Sequence, residues 1–297
     1  MNALLRYVTK VKTEILGINS RNLDFIYPLN PRQNYPRADD KLLTKEILTA
    51  QGIPVPRTLA VFKNALDLRH LEAAVRSHER FALKPAMSTR GRGIMIVRRD
   101  ESGRLVTNGK LGHTVLEIED LRNHIVDILA GLFSLERGYD KAFFEELVEP
   151  EETLGSISKG LPDIRIIVHK NQPKMAMVRI PTAVSGGRAN LHQGALGLGV
   201  DIRTGCTTFA VHGNRNVSHH PDTGEPLRKL QIPMWNEILR ISEQASHCCG
   251  LGYLGVDIVI DRSPRPLIME VNARPGLNIQ LANRQGLSRL LRGAERE

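Results

Sequence analysis

The stretch LIMEVNARPGLN, residues 267–278, decides the fold. Leu267, Ile268, Met269 and Val271 are a buried-strand pattern, and Glu270 and Asn272 interrupt it with oxygen-bearing side chains. Side chains two apart on a strand face one side, so Glu270 and Asn272 share a face. Arg274, Pro275 and Gly276 then end the strand. A second apolar strand, GVDIVI, carries Asp257, thirteen residues before Glu270, and the segment RSPR joins the two. A hairpin brings the three together. Two carboxylates and a carboxamide oxygen suit a hard cation such as Mg²⁺, with Mn²⁺ an alternative. The competing reading is a structural carboxylate paired with Arg274 or Arg262. Three oxygen ligands on adjacent strands favour the metal.

Two other segments suit phosphate. Lys84 emerges from the strand FALKP and is followed by Ser88-Thr89-Arg90-Gly91-Arg92-Gly93. Small residues there let backbone N–H groups approach phosphate oxygens, and Arg90 and Arg92 add charge. No Lys-Ser/Thr follows the last glycine, so this is not the P-loop pattern. The segment Gly187-Arg188-Ala189-Asn190-Leu191-His192 offers Arg188 to phosphate and Asn190 to phosphate or metal. His192 reads as a structural histidine and His219–His220 as loop surface.

The rest of the chain bounds the function class. It has 297 residues, 41% hydrophobic and 25% charged, with a net charge of +9. The basic residues are dispersed and aromatics make up only 4%, which speaks against stacking platforms for nucleic acid and for small anionic ligands. Cys206, Cys248 and Cys249 form no disulfide framework and no CxxC metal pair, as expected of free thiols in a cytoplasmic protein. No apolar run approaches the roughly 18 residues that span a membrane. The N-terminus lacks a secretory pattern. Leu4, Val8, Val11 and Ile15 mark one helix face with basic neighbours. Such a helix can rest on a membrane surface, although packing on its own domain is the preferred reading.

Along the chain the spacing predicts a helix and a Pro-rich extended arm over 1–38, and a helix KLLTKEILTA capped by Asp39 or Asp40. A strand over 59–62 and a helix over 65–79 follow. Next come the strands FALKP and GIMIVRR, a helix over 120–136 with Leu132 on its apolar side, and a strand AFFEELV. Two hairpins turn at Asn171-Gln172-Pro173 and at Thr204-Gly205, and a helix over 233–249 precedes the two acidic strands. Hairpins mixed with helices give an α+β fold.

In this order the motifs resemble the ATP-grasp superfamily of carboxylate–amine ligases. They are similar in particular to the bacterial ligases that add glutamate to a ribosomal-protein C-terminus and to the sugar-transfer-associated branch. The resemblance covers roughly Asp39 to Gln280. It implies an ATP-grasp fold in which two α+β subdomains clamp ATP between antiparallel sheets, with a shortened N-terminal region over 1–38, a lid-side subdomain over 39–143 and a metal-bearing subdomain over 144–297. It makes Lys41 and Lys84 the phosphate lysines, and Arg90, Gly91 and Gly93 part of a lid. Glu145 or Glu146, with the backbone near Leu147 and Val148, would hold adenine, and Asp163 the ribose. Asp257, Glu270 and Asn272 become the Mg²⁺ ligands, and Arg188 and Arg274 the groups on the reacting phosphate.

The implied activity is ATP- and Mg²⁺-dependent amide formation through an acyl phosphate, with small-molecule or peptide carboxylate and amine partners, glutamate among them. A nucleotide-binding protein without ligase activity and a basic nucleic-acid-binding protein are the alternatives. Nothing in the sequence sets an oligomeric state.

Overall fold

The computed structural model describes residues 14–88, 91–109, 112–134, 138–158 and 160–293. They form two compact units. The first comprises Asp39–Leu43 and Val55–Val148; the second holds the described residues up to Ala38, Thr44–Pro54, and those from Glu149 onward. The helix Lys41–Ala50 contributes its first turn to the former and the rest to the latter.

The first unit is built on a six-stranded antiparallel sheet of order β1-β6-β2-β3-β4-β5. Its strands are β1 (Thr58–Phe62), β2 (Arg80–Pro85), β3 (Met95–Arg99), β4 (Leu105–Gly109), β5 (Gly112–Val115) and β6 (Ala142–Glu145). One face is apolar: Phe62, Phe81, Leu83 and Phe144 pack with Leu121, Ile125 and Ile128 of the helix Ile118–Leu129. Phe81 and Phe144 stack with centroids 3.9 Å apart. Strand alternation sends Lys84 and Glu145 to the opposite face. The expected helix over 120–136 ends at Leu129, because Gly131 takes a left-handed turn at φ 82°, and Leu132 is 60% exposed rather than apolar-facing. The expected helix over 65–79 is a 3₁₀ stretch, Ala65–His70, running into a short α-helix, Leu71–Arg76. The expected strand AFFEELV stops at Glu145.

The second unit carries a seven-stranded antiparallel sheet of order β11-β10-β9-β8-β7-β12-β13. The strands are β7 (Asp163–His169), β8 (Gln172–Ile180), β9 (Leu196–Val200), β10 (Thr207–His212), β11 (Arg215–Val217), β12 (Tyr253–Ile260) and β13 (Pro266–Asn272). The β7–β8 hairpin turns at Lys170–Asn171, one residue earlier than expected; both take positive φ, 49° and 60°, as a tight two-residue turn requires. Two strands each carry one extra residue. On β8, Val168 faces Pro173 but Ile167 faces Met175, so Lys174 is bulged. On β13, Ile258 faces Ile268 but Asp257 faces Glu270, so Met269 is bulged. The helix Trp235–Cys249 packs on β7, β8, β12 and β13.

The N-terminal segment corrects an expectation. Of the helix read from Leu4, residues 1–13 lie outside the described residues; the Pro-rich arm that follows is largely helical, not extended. Helical turns run continuously from Ile18 to Leu29, with a π-helical stretch over Arg21–Ile26. There Tyr27 N–H donates to Asn22 O, five residues back. Pro28 follows at once. A proline ring clashes with the carbonyl four residues earlier in a regular helix, and the wider π turn relieves that conflict. Phe25, Ile26 and Leu16 bury their side chains with Ile167, Met175, Met177 and Tyr253 on one face of the sheet, joined by Ile279, Ala282, Leu287 and Leu291.

Asn30 fixes the end of this segment. It is buried, accepts a hydrogen bond from Tyr253 N (2.9 Å) and donates to Tyr253 O (2.7 Å) and Ala273 O (3.2 Å). Three backbone groups thus depend on one carboxamide. Asn30→Ala is expected to cost about 2–4 kcal/mol, since buried polar groups left without partners cost about 1–3 kcal/mol each. A denaturant titration measures it, and a loss below about 0.5 kcal/mol would remove the carboxamide as the anchor.

Candidate active site

One face of the second sheet gathers the polar groups. Asp257 on β12 pairs with Arg165 on β7 and with Glu270 on β13, and Asp163 pairs with Arg179 on β8. Gly255 pairs with Asn272. Cross-strand partners point the same way. Asp163, Arg165, Arg179, Asp257, Glu270 and Asn272 therefore form one patch. The opposite face is apolar, with Ile164, Ile166, Val256, Ile258 and Val271 all buried. Both bulges are needed for this. Without Lys174 as an extra residue Asp163 would face Val178, and without Met269 Asp257 would face Met269 itself.

The patch is an ion cluster. Asp257, 4% exposed, accepts from Arg165 Nε (2.7 Å) and a terminal nitrogen (2.6 Å), and Arg179 lies 2.9 Å away. Arg179 also grips Asp163 in a two-bond fork. Asn272 Nδ2 donates to Asp257 Oδ2 at 3.2 Å. Burial alone would push the Asp257 carboxyl up, but the Arg165 and Arg179 guanidinium groups outweigh it and hold it at about 2. Asp163 moves the other way: burial raises it, Arg179 offsets part, and the like charge of Asp257 adds to the rise. Asp257 is thus ionised and compensated from the arginine side. The arginines beside it are Arg165 and Arg179, not Arg262, which meets Glu149 at 3.4 Å, and not Arg274.

Glu270 differs. It is half-buried on the same face and, among the described residues, carries no hydrogen bond or ion pair. Two carboxylate groups and a carboxamide are a hard-oxygen donor set, and that one of the two, Glu270, is half-buried and unpaired among the described residues fits a cation. No three carboxylate, imidazole or thiolate groups converge on a metal position among the described residues. The donor set therefore depends on Asn272.

Pro275 and Gly276 break the chain where the patch ends. A Cβ at Gly255 would fall 2.7 Å from Pro275 Cβ, so the turn packs on bare backbone there. The Arg274 guanidinium lies over the Tyr35 ring, 4.9 Å from its centroid. Arg188 is exposed and without an ion pair among the described residues. Asn190 uses its side-chain oxygen to accept from His192 N (3.0 Å), capping the 3₁₀ turn Leu191–Gln193.

In the first unit Lys84, 9% exposed, is in direct ion contact with Glu145, 2% exposed. Glu146 is held by Arg57: the Arg57 N–H donates to Oε1 (2.8 Å) and Nε to Oε2 (2.6 Å). Leu147 and Val148 follow β6 in irregular backbone, and among the described residues their N–H groups carry no hydrogen bond. Lys41 donates to Ser88 O at the start of the glycine-rich loop. Asp40 caps the helix through Leu42 N (2.9 Å) and Leu43 N (3.2 Å) and meets Lys141 Nζ (2.6 Å). Asp140 receives Met87 N at 3.0 Å, and burial raises its pKa. Arg90 lies outside the described residues. Gly91 and Gly93 both take positive φ, 69° and 72°. At Gly93 a Cβ would also fall 2.6 Å from the Phe133 ring, so a side chain there strains the backbone and displaces that ring.

A family model described as sugar-transfer associated ATP-grasp matches residues 20–296. The chain belongs to this family. Its fold is α+β with two antiparallel sheets, as expected of an ATP-grasp chain. Solved structures similar to this ATP-grasp chain include the ATP-grasp ligase PsnB with a phosphomimetic variant of its minimal precursor, Mg and ADP. That match has 16% identity over 89% of this chain and 59% of the other, at a TM-score of 0.46. The D-cycloserine synthetase DcsG matches with 15% identity over 88% of this chain and 71% of the other, at 0.49. The D-alanine–D-alanine ligase of Bacillus anthracis matches with 14% identity over 88% and 64%, at 0.45. The chain spans between half and two thirds of the PsnB chains, 56% and 59% in two structures. No curated protein sequence matches it. Among the described residues, no helix is long and apolar enough to cross a membrane.

Arg165 and Arg179 were not singled out from the sequence. Arg165 had a signal: it lies two residues from Asp163 in DIR, on the same strand face. Arg179 had none, because the bulge at Lys174 moves it to that face.

Proposed function

We propose that the chain is an ATP- and Mg²⁺-dependent ligase that joins a carboxylate to an amine through an acyl phosphate. The observation that carries this reading is the alignment of Asp257 with Glu270 across β12 and β13, with Asn272 hydrogen-bonded to Asp257. These three residues would hold Mg²⁺, which would supply positive charge to the phosphate oxygens during γ-phosphoryl transfer. Arg165 and Arg179 fix the Asp257 carboxylate; with Asn272 they crowd Oδ2, so Oδ1, which meets only Arg165 Nε, is the oxygen open to a cation.

Lys41 and Lys84 add positive charge for the phosphates, as do the N–H groups around Gly91 and Gly93. The Glu145 contact orients Lys84. The N–H groups of Leu147 and Val148 are available to an adenine edge. Asp163 stands at the ribose, gripped by Arg179, and Arg188 faces the acyl phosphate. A carboxylate oxygen attacks the γ-phosphorus and ADP leaves; an amine nitrogen then attacks the acyl carbon, phosphate leaves, and the nitrogen loses a proton. Both steps crowd negative charge, so cations and N–H dipoles supply the stabilisation.

The test is ADP release by the full chain with Mg²⁺ and ATP, against paired panels of carboxylic acids (amino acids, sugar acids, short peptides) and amines. The expected result is ADP release that needs one acid, rises with one amine and yields the amide by mass. Tight ATP binding with no ADP release across the panel would instead identify a nucleotide-binding protein without ligase activity.

A further inference from the structure

Arg21, in the π-helical stretch, is a half-buried cation whose partners among the described residues are all neutral. Its guanidinium donates to Asn22 Oδ1 from Nε (3.1 Å) and a terminal nitrogen (2.9 Å), and to Pro275 O (2.8 Å). The nearest acid on its helix, Asp24, is occupied by Arg292 and by Ser20 Oγ at 2.6 Å. Arg21 is thus charged, half-buried and without a carboxylate partner among the described residues. Burial lowers its pKa; the Tyr253 hydroxyl acts the other way, and the positive charge of Arg274 adds to the lowering. Arg21 thus lacks a counter-ion among the described residues while Arg274 adds positive charge to its surroundings, an arrangement that an anion relieves.

A second observation is independent of that charge. Tyr253 is fully buried, and its hydroxyl has no hydrogen-bond partner among the described residues. Its ring lies 5.9 Å from that of Phe25, four residues along the helix from Arg21, and Arg21 acts electrostatically on the hydroxyl. Buried hydroxyl groups are nearly always bonded, so an orphan within the electrostatic reach of Arg21 marks a place for an acceptor.

The location links this place to the patch. Arg21 holds the carbonyl of Pro275, and Pro275 packs on Gly255. Gly255 pairs with Asn272 and is the next residue on the face of Asp257. We propose that Arg21, with Arg274, binds a carboxylate group of the acid substrate, and that the helical N-terminal segment is the element that selects that substrate. The Nη1/Nη2 edge of the Arg21 guanidinium, away from the Nε edge that Asn22 occupies, matches a carboxylate in two parallel bonds. Asn22 orients the Arg21 fork, and Tyr35 supports Arg274 by stacking. The inference takes from the ligase reading only that the anion is the acid substrate.

The test is titration calorimetry on the full chain, with and without Mg²⁺ and a non-hydrolysable ATP analogue. The probes are succinate, L-glutamate and D-glucuronate, each beside its methyl ester, and inorganic phosphate. At least one acid is expected to bind wild type, with its ester at least tenfold weaker. Arg21→Gln should weaken that acid at least tenfold, Arg21→Lys less, while affinity for the ATP analogue stays within twofold. No binding of any of the three acids, an ester that binds as well as its acid, phosphate as the sole ligand, or unchanged affinity in folded Arg21→Gln would each overturn the proposal. The ester comparison needs no variant and stands if Arg21→Gln fails to fold. Failure of the ATP analogue to bind wild type would instead sink the ligase reading, and the acid titrations would still decide this site.

Discussion

Asp257→Asn is expected to reduce ATP turnover about a thousandfold or more, on the order of 4 kcal/mol in the barrier, while the chain stays folded. Asparagine keeps the shape but removes the charge that a cation needs. Arg179 retains its fork to Asp163, so the cluster keeps one ion pair. Arg165 loses its carboxylate, and a stability cost of about 1–3 kcal/mol follows. The pH profile of stability gives a second readout. Asp257 is held at about 2, below its ordinary value. Its contribution is therefore fully present above about pH 4 and lost as pH falls towards 2. The variant should lose that part of the acid-unfolding slope, on the order of 2 kcal/mol between those limits. Full turnover at saturating Mg²⁺ in the variant would take Asp257 out of the ligand set.

Lys84→Ala is the second large effect, and stability shows it as well as activity. Lys84 and Glu145 are both buried, so removing the lysine leaves Glu145 short of its countercharge. The expected loss is about 3–5 kcal/mol, seen as a large drop in melting temperature. Replacing both, as Lys84→Met with Glu145→Leu, should recover most of it, because an apolar pair of similar volume is often neutral or stabilising where a buried ion pair stood. ATP binding should not recover. A double variant that regained stability and bound ATP as wild type does would make the pair purely structural. Equal instability in the single and double variants would mean the pair does more than compensate charge.

The polar strand LIMEVN showed in the sequence because Glu270 and Asn272 contradict an apolar run, and Asp257 because it contradicts another. Lys84 showed for the same reason in FALKP. Contradiction of a local pattern is a signal that one sequence can carry. Register is not. The face on which Arg179 and Glu270 emerge depends on the extra residues Lys174 and Met269, and nothing local to either names it as a bulge. The N-terminal segment was misread for a related reason. Pro28, Pro31 and Pro36 look like helix breakers, yet the π turn before Pro28 accommodates the first, and Pro36 starts a helical turn, where its missing N–H costs nothing. The strands Leu105–Gly109 and Gly112–Val115 are hard to read because they are short and polar, LVTNG and GHTV, leaving little alternation to see.

The two bulges also bear on how related chains should be compared. Each hairpin behaves as a counter that records only odd or even. Adding or removing two residues near Lys170–Asn171 or in the RSPR turn slides a strand but leaves every acid and arginine on its present side. Adding or removing one turns the whole set over, apolar side chains with it. Homologues should therefore tolerate length changes in these turns in steps of two. A relative that breaks this rule should carry a compensating residue at the position of Lys174 or Met269, or should have lost the polar patch.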